Sequence, residues 1–136
     1  MIFRILSIDY GNKRTGLALT DPLQIIASGI TTIKTDNLMH FLSYFLYEKN
    51  IQKVVIGKSK NWKNMPSVIE KEIQYFINKF RLSFPEINID RIDECFTSKL
   101  AKKTLFCSKK RDRTNSSILD RISATLILQN YLEKKK

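Results

Sequence analysis

The first third of the chain carries apolar-rich and alternating runs that predict strands before helices. An apolar-rich run over residues 3–9 is followed, after a glycine-containing gap, by a shorter alternating segment that closes at Asp21. Two such runs separated by a short gap predict a β-hairpin. The β-branched residues 23–33 predict a third strand, with Gly29 as a candidate bulge.

The middle of the chain alternates between helical and strand-like patterns. Apolar residues recur at helical spacing over residues 38–50 and again over residues 69–80, which predicts two helices with one buried stripe each. The all-apolar run 54–57 predicts a central parallel strand that is covered on both faces. Isoleucines at strand spacing predict a fifth strand over residues 87–94.

The last third of the chain combines a basic segment with an apolar helix. Residues 98–106 predict a short basic helix, and residues 107–116 predict a loop because they lack an apolar pattern. A helix that is apolar most of the way round begins near Ser116 and runs to about Glu133, so we expect it in the interior or between layers. The order β-β-β-α-β-α-β-α predicts one α/β domain over residues 1–136, a mixed five-stranded sheet with flanking helices.

Composition and charge add a class of partner to this fold. The chain has 136 residues, 43% of them apolar, which suits a single globular core. Its net charge of +11 favours nucleic acid as a partner. A membrane is not favoured, since no basic helix has a clean apolar face. One segment, hereafter the basic cluster, is the densest in charge: it contains Lys99, Lys102, Lys103, Lys109, Lys110, Arg111 and Arg113.

Other features argue against several functional classes. The sequence has no run of about 18 apolar residues that would predict a transmembrane helix, and the N-terminus lacks a signal-peptide pattern. We therefore expect a cytoplasmic protein. Cys95 and Cys107 form no CxxC pair and His40 is the only histidine, which argues against a zinc site.

Three acids fall where the predicted elements could bring them together. Asp9 ends the first strand, Glu94 ends the fifth, and Asp120 lies on the inward stripe in the first turn of the last helix. The carboxyl ends of neighbouring parallel strands share one rim of a sheet, where ligands bind. Converging carboxylates suit Mg²⁺, and two such ions can activate water and stabilise the leaving oxygen of a phosphodiester. A metal-dependent nuclease is therefore one hypothesis from the residues alone.

Simpler interpretations of the same acids stay open at this point. Asp9 could cap the turn that follows the first strand, or pair with a lysine. The helix dipole alone could stabilise Asp120. The phosphate-binding half of an actin-like ATPase also opens with an Asp-x-Gly hairpin, but this chain is too short for the two-lobed cleft of such proteins.

Three segments of the sequence share a pattern with one known family. They are DYGNKRTGLALTDP from Asp9, DECFTS from Asp93, and DRISATLILQNYL from Asp120. In this order they resemble the motifs of the YqgF (RuvX) family of Holliday-junction-resolvase-like proteins. Together the segments span nearly the whole chain.

The resemblance implies a ribonuclease H-like fold and a nuclease that processes the 5′ end of pre-16S rRNA in ribosome biogenesis. Such an enzyme is a hydrolase of phosphodiester bonds, with Mg²⁺ or Mn²⁺ as its cofactor. By position, Asp9, Glu94 and Asp120 match the family's catalytic and metal-binding acids. Lys13 and Arg14 match a basic pair that contacts phosphate, and the basic cluster would hold the RNA. A ribosomal particle is an expected partner, and monomer and homodimer both stay open.

The sequence departs from the family pattern at two places, and two alternative functions stay open. Cys95 stands where the family usually has arginine, and Gly57-Lys58-Ser59-Lys60 replaces its Gly-x-Pro-x segment. These changes motivate a non-catalytic rRNA-binding assembly factor as one alternative. The other is a Holliday-junction resolvase, which would cut DNA junctions as a symmetric dimer.

Overall fold

The computed structural model of the protein describes residues 3–58, 68–93 and 116–135. The described strands are β1 (Arg4–Asp9), β2 (Arg14–Thr20), β3 (Ala27–Lys34), β4 (Ile51–Lys58) and β5 (Asn88–Asp93). The described helices are α1 (Leu38–Glu48), which follows a 3₁₀ turn at Thr35–Asn37, α2 (Ile69–Ser83) and α3 (Ser116–Lys135). The predicted order of strands and helices is confirmed. The predicted basic helix 98–106 and most of the loop after it lie outside the described residues.

The five strands form one mixed sheet in the order β3-β2-β1-β4-β5. β1 pairs with β2, and β2 with β3, in antiparallel fashion. β4 pairs in parallel with both β1 and β5. The two parallel connections run through α1 and α2, so the carboxyl ends of β1, β4 and β5 lie at the same rim. This is the mixed α/β sheet that the sequence predicted.

Alternating side chains of the central strands divide the core between the two faces of the sheet. Leu6 and Ile8 of β1 pack with α1 and α2 on one face. Ile5 of β1 and Val55 of β4 pack with α3 on the other. The fully buried helical residues on the first face include Leu42, Leu46 and Phe80, and those on the second include Ala124, Ile127 and Leu128. Hydrophobic burial on both faces explains the all-apolar run 54–57 within β4.

The last helix covers one face of the sheet. Its sheet-facing residues are buried, whereas Leu119, Ile122 and Leu126 keep partial exposure. The helix is therefore buried on the side that faces the sheet and half-buried at these other apolar positions. No helix in the described part of the chain is long and apolar enough to cross a membrane.

The third strand starts later than the sequence pattern predicted. The carboxylate of Asp21 accepts hydrogen bonds from the backbone N–H groups of Leu23, Ile25 and Ile26, with distances of 2.7–3.1 Å. Gln24 has a φ of 59°, which strand pairing does not allow. Residues 23–26 therefore form a structured loop, and β3 begins at Ala27. A register shift between Leu17 and Ala18 in the pairing with β3 places the bulge next to Gly29, as predicted.

Candidate active site

A buried hydrogen bond fixes α3 over the end of β1. The Ser7 hydroxyl donates to the backbone carbonyl of Ala124 at 2.6 Å, and both residues are fully or almost fully buried. Asp9 lies two residues further along β1, so its side chain is on the same face of the sheet as Ser7. Asp120 lies one turn before Ala124 in α3. The two acids therefore occupy the same face and the same end of the sheet.

Gly16 shows how closely these two acids approach each other. Asp9 is the cross-strand partner of Gly16. A Cβ atom on Gly16 would lie 2.2 Å from the backbone oxygen of Asp120 and 3.1 Å from its Cβ. Since directly paired residues have Cβ atoms about 5 Å apart, the Cβ atoms of Asp9 and Asp120 lie within roughly 9 Å of each other. The structure thus brings together two of the three predicted acids.

A basic side chain accompanies the acids. The Nε of Arg14 donates to Oδ2 of Asp120 at 3.1 Å, with the side chains 46% and 24% exposed. Arg14 precedes Gly16 by two residues on β2, so it shares the face that α3 covers. This ion pair is solvated enough to open when another cation or a phosphate competes for either partner. Lys13, its neighbour in the predicted pair, lies in the turn between β1 and β2.

The carboxyl ends of β4 and β5 are held together by Arg91. Its guanidinium donates to both carboxylate oxygens of Glu70 at 2.9 and 3.0 Å, and to the backbone oxygens of Ile56 and Gly57 at 3.1 and 2.9 Å. A bidentate pair of this kind orients both side chains. The sequence does not predict this pair, because an arginine within a strand pattern gives no sign of a partner 21 residues away.

A second cluster attaches the other end of α3 to the sheet. The Tyr131 hydroxyl donates to Asp90, and the Lys53 ammonium donates to the Tyr131 oxygen at 3.0 Å. Burial and then the hydrogen bond to Asp90 raise the pKa of Tyr131. The hydrogen bond to Tyr131 raises the pKa of Lys53 above its ordinary value. The cluster lies toward the amino ends of β4 and β5, away from Asp9, and its groups satisfy one another.

The remaining predicted site residues lie outside the described residues. Glu94 follows Asp93, the last residue of β5, and the whole basic cluster falls between residues 94 and 115. Cys95 is in the same segment. Lys58, at the end of β4, is exposed. Convergence of Glu94 with the other two acids therefore stays a prediction.

The donor chemistry of the site fits a hard divalent cation. Asp9 and Asp120 supply carboxylate oxygens, the ligand type that Mg²⁺ and Mn²⁺ prefer, and Mg²⁺ typically takes one or two carboxylates plus substrate phosphates. Among residues 3–58, 68–93 and 116–135, no group of three or more His, Cys, Asp or Glu side chains is arranged to hold a metal. Glu94, which lies outside the described residues, stays the predicted third ligand.

Two solved structures share the fold of this chain. A fowlpox virus resolvase, solved in complex with Holliday junction DNA, superimposes with a TM-score of 0.59 at 16% identity, covering 98% of this chain and 99% of the viral one. Thermus thermophilus RuvC superimposes with a TM-score of 0.58 at 10% identity, covering 98% of this chain and 97% of the RuvC chain. At these identities the likeness concerns the fold, and it confirms the ribonuclease H-like architecture that the sequence motifs implied.

Sequence comparison gives a closer relationship. A Flavobacterium psychrophilum protein named "Putative pre-16S rRNA nuclease" is 47% identical over 134 residues, which are 97% of this chain and 98% of the relative. A Bacteroides thetaiotaomicron protein of the same name is 43% identical over 135 residues, 98% of each chain. The family model described as "RuvX: Holliday junction resolvase" matches residues 3–134. With nearly its whole length matched, the chain belongs to the RuvX family.

Proposed function

We propose that this protein is a divalent-metal-dependent endonuclease that processes the 5′ end of pre-16S rRNA in the cytoplasm. The observation that carries the proposal is the convergence of Asp9 and Asp120 beside Arg14, in a member of the RuvX family with a net charge of +11. Acids suit a metal and cations suit a phosphate backbone. Relatives 42–47% identical bear the name of a pre-16S rRNA nuclease, which favours that substrate.

In this proposal each residue has a defined part. Asp9, Glu94 and Asp120 would hold Mg²⁺ or Mn²⁺. The metal would supply Lewis-acid stabilisation of the phosphodiester and would lower the pKa of a water molecule towards neutral pH. Arg14 orients Asp120 and, with Lys13, contacts a phosphate next to the scissile bond. The basic cluster holds the RNA, within a ribosomal particle or on free precursor RNA.

A second candidate is cleavage of four-way DNA junctions. It is favoured by the description of the matching family model as a Holliday junction resolvase. The same acids would serve it, but a resolvase cuts two strands and needs a symmetric dimer.

A third candidate, a non-catalytic rRNA-binding assembly factor, is motivated by Cys95 and by the Lys58-Ser59-Lys60 segment. It predicts binding with a steep salt dependence and no turnover.

Cleavage of matched substrates separates these functions. Purified protein and a folded Asp9→Asn variant are incubated in Mg²⁺ or Mn²⁺ with pre-16S 5′ leader RNA and, separately, with a four-way DNA junction. We expect wild type to cut the leader and Asp9→Asn to bind but not cut it. Preferred, paired cuts in the junction would favour the resolvase. Tight leader binding without cleavage by wild type would favour the assembly factor.

A further inference from the structure

A groove begins beside the candidate active site and crosses the edge of the sheet to α1. Its first part, hereafter the basic hollow, is lined by Lys13, Arg14 and Lys34 among others. Its second part, hereafter the aromatic hollow, is lined by side chains of α1. Ile33 of the edge strand β3 lines both hollows, so they adjoin. Arg14 also contacts Asp120, which connects the groove to the candidate active site.

The basic hollow has the chemistry of a phosphate site. Its lining contains three cationic side chains and one acid, Asp36, together with the polar residues Asn12 and Thr32. Lys34 is exposed on the edge strand and is the cross-strand partner of Arg14. Paired positions on neighbouring strands lie close together, so both cations can face one stretch of polyanion.

The aromatic hollow presents rings at the surface of α1. Phe41 and Phe45 stack with their ring centroids 4.9 Å apart, and His40 meets Tyr44 edge-on at 5.3 Å. Tyr44 is 65% exposed, so most of its ring is available to a ligand. The spacing of these residues at i, i+1, i+4 and i+5 forms one stripe along the helix. Exposed aromatic platforms beside cations are how proteins hold single-stranded nucleic acid, through stacking of bases.

We propose that this groove binds the single-stranded RNA next to the scissile phosphodiester, with phosphates in the basic hollow and bases stacked on the aromatic hollow. The inference rests on the proposed function for the identity of the nucleic acid. Continuity with Arg14 and with the cations of the basic hollow favours RNA over a protein partner. The aromatic hollow, which Glu48 also lines, contributes a stacking surface and not charge complementarity. The volumes of the two hollows, 560 and 540 Å³, are comparable to those of small-molecule sites and so leave room for nucleotides.

The test measures binding without cleavage, so that it does not depend on the enzyme's activity. Full-length protein in EDTA is titrated into a fluorescein-labelled single-stranded RNA of about 12 nucleotides, which is in the range of single-strand sites, and anisotropy gives the Kd. Tyr44→Ala is compared with Tyr44→Phe, which keeps the ring. Tyr75→Ala is the matched control, because Tyr75 is an equally exposed tyrosine (68%) on α2, outside the lining of both hollows.

Stacking of one base is worth about 1–3 kcal/mol, so we expect Tyr44→Ala to raise the Kd by roughly 10-fold. Tyr44→Phe and Tyr75→Ala should bind as wild type does. Lys34→Gln should reduce the slope of log Kd against log salt by about 0.7. The effect of Tyr44→Ala should be absent with an RNA duplex, whose bases are not free to stack on a ring.

Equal binding by Tyr44→Ala and wild type would overturn the proposal and leave the aromatic hollow to a protein partner. An equal loss in Tyr75→Ala would overturn it as well, because the effect would then not be specific to the groove. The proposed endonuclease fails separately, if wild type binds RNA in this assay but does not cut it with metal.

Discussion

At the scale of single residues, the position of Asp120 depends on a glycine as much as on its own charge. Gly16 leaves no room for a side chain, because its Cβ would lie 2.2 Å from the backbone oxygen of Asp120. The first turn of α3 therefore lies directly against β2. Arg14 lies two residues before Gly16 on the same face of β2 and contacts Asp120. Asp9 is the cross-strand partner of Gly16 on β1. A side chain at position 16 would move Asp120 away from both.

We predict that Gly16→Ala lowers activity more than stability. The added methyl group must push the backbone of α3 outward, and overpacking of this kind costs about 1–3 kcal/mol. Displacement of Asp120 should lower the cleavage rate at a temperature where the variant is still folded. Urea unfolding gives the free energy of unfolding, and single-turnover cleavage of leader RNA gives the rate.

Gly29→Ala is the control for the Gly16 prediction. Its Cβ would meet the Thr125 hydroxyl oxygen at 2.9 Å, and its contacts with the Cβ and backbone oxygen of Arg121, at 3.4 Å each, are ordinary van der Waals distances, so only a side-chain atom has to give way. We expect a smaller loss of stability and near wild-type cleavage. Equal effects of the two substitutions would show that contact with α3 in general, and not the position of Asp120, sets the activity.

At the scale of elements, the connection between β2 and β3 is organised by one carboxylate. Hydrogen bonds from backbone N–H groups, that of Ile26 first, lower the pKa of Asp21 below its ordinary value of 3.8. The loop holds Leu23, Ile25 and Ile26 at 62–68% exposure, so apolar burial contributes little to its conformation. Its order therefore depends on hydrogen bonds: those to the ionised carboxylate of Asp21, and the one that the Gln24 side chain donates to the Phe3 carbonyl at 2.9 Å.

We predict that the stabilising effect of Asp21 depends on pH. A pKa that is lower in the folded state means that the ionised form stabilises the folded protein. The contribution is complete above pH 3.8 and is lost as the pH falls from there through the lowered pKa. Unfolding curves of wild type and Asp21→Asn should differ by a constant free energy between pH 7 and about pH 5, and then converge. A difference that persists unchanged well below pH 3.8 would refute this account.

Helix α2 is tied to the carboxyl ends of β4 and β5 by the pair of Glu70 and Arg91. The side chains are 17% and 15% exposed, so the pair is largely desolvated. Arg91 also reaches the carbonyl oxygens of Ile56 and Gly57. The pair thus fixes the last described part of β5, immediately before Glu94.

We predict that Glu70→Ala costs about 3 kcal/mol of unfolding free energy, because it leaves a partly buried guanidinium without its carboxylate. Glu72→Ala is the matched control, since Glu72 is an exposed acid in the same first turn of α2, and it should change stability by less than about 0.5 kcal/mol. Urea unfolding of both variants checks the prediction. Similar losses would mean that the charge near the helix N-terminus, and not the ion pair, is responsible.

At the scale of the whole molecule, sequence periodicity predicted the sheet and its helices well. The end of the first apolar-rich run placed Asp9 at the carboxyl rim of the sheet, and helical spacing placed Asp120 on the stripe of Ala124 and Ile127, so two local patterns predicted that these acids lie near each other. Sequence periodicity did not predict the contacts of Gly16, the pair of Glu70 and Arg91, or the groove that Ile33 lines. Each depends on which helix packs against which strand, and local patterns do not carry that information. The loop after Asp21 was missed because its β-branched residues are typical of strands.

The two described acids are proposed to act as one unit, and a double-mutant cycle tests this most directly. Single-turnover cleavage of leader RNA in Mg²⁺ is measured for wild type, Asp9→Asn, Asp120→Asn and the double variant, with Glu133→Gln as an exposed control on the same helix. We predict that each single variant cleaves about 100-fold or more slowly than wild type. The double variant should be no slower, because either substitution alone already disables the shared metal site. Multiplied losses, or wild-type cleavage by folded Asp9→Asn, would contradict the shared metal site.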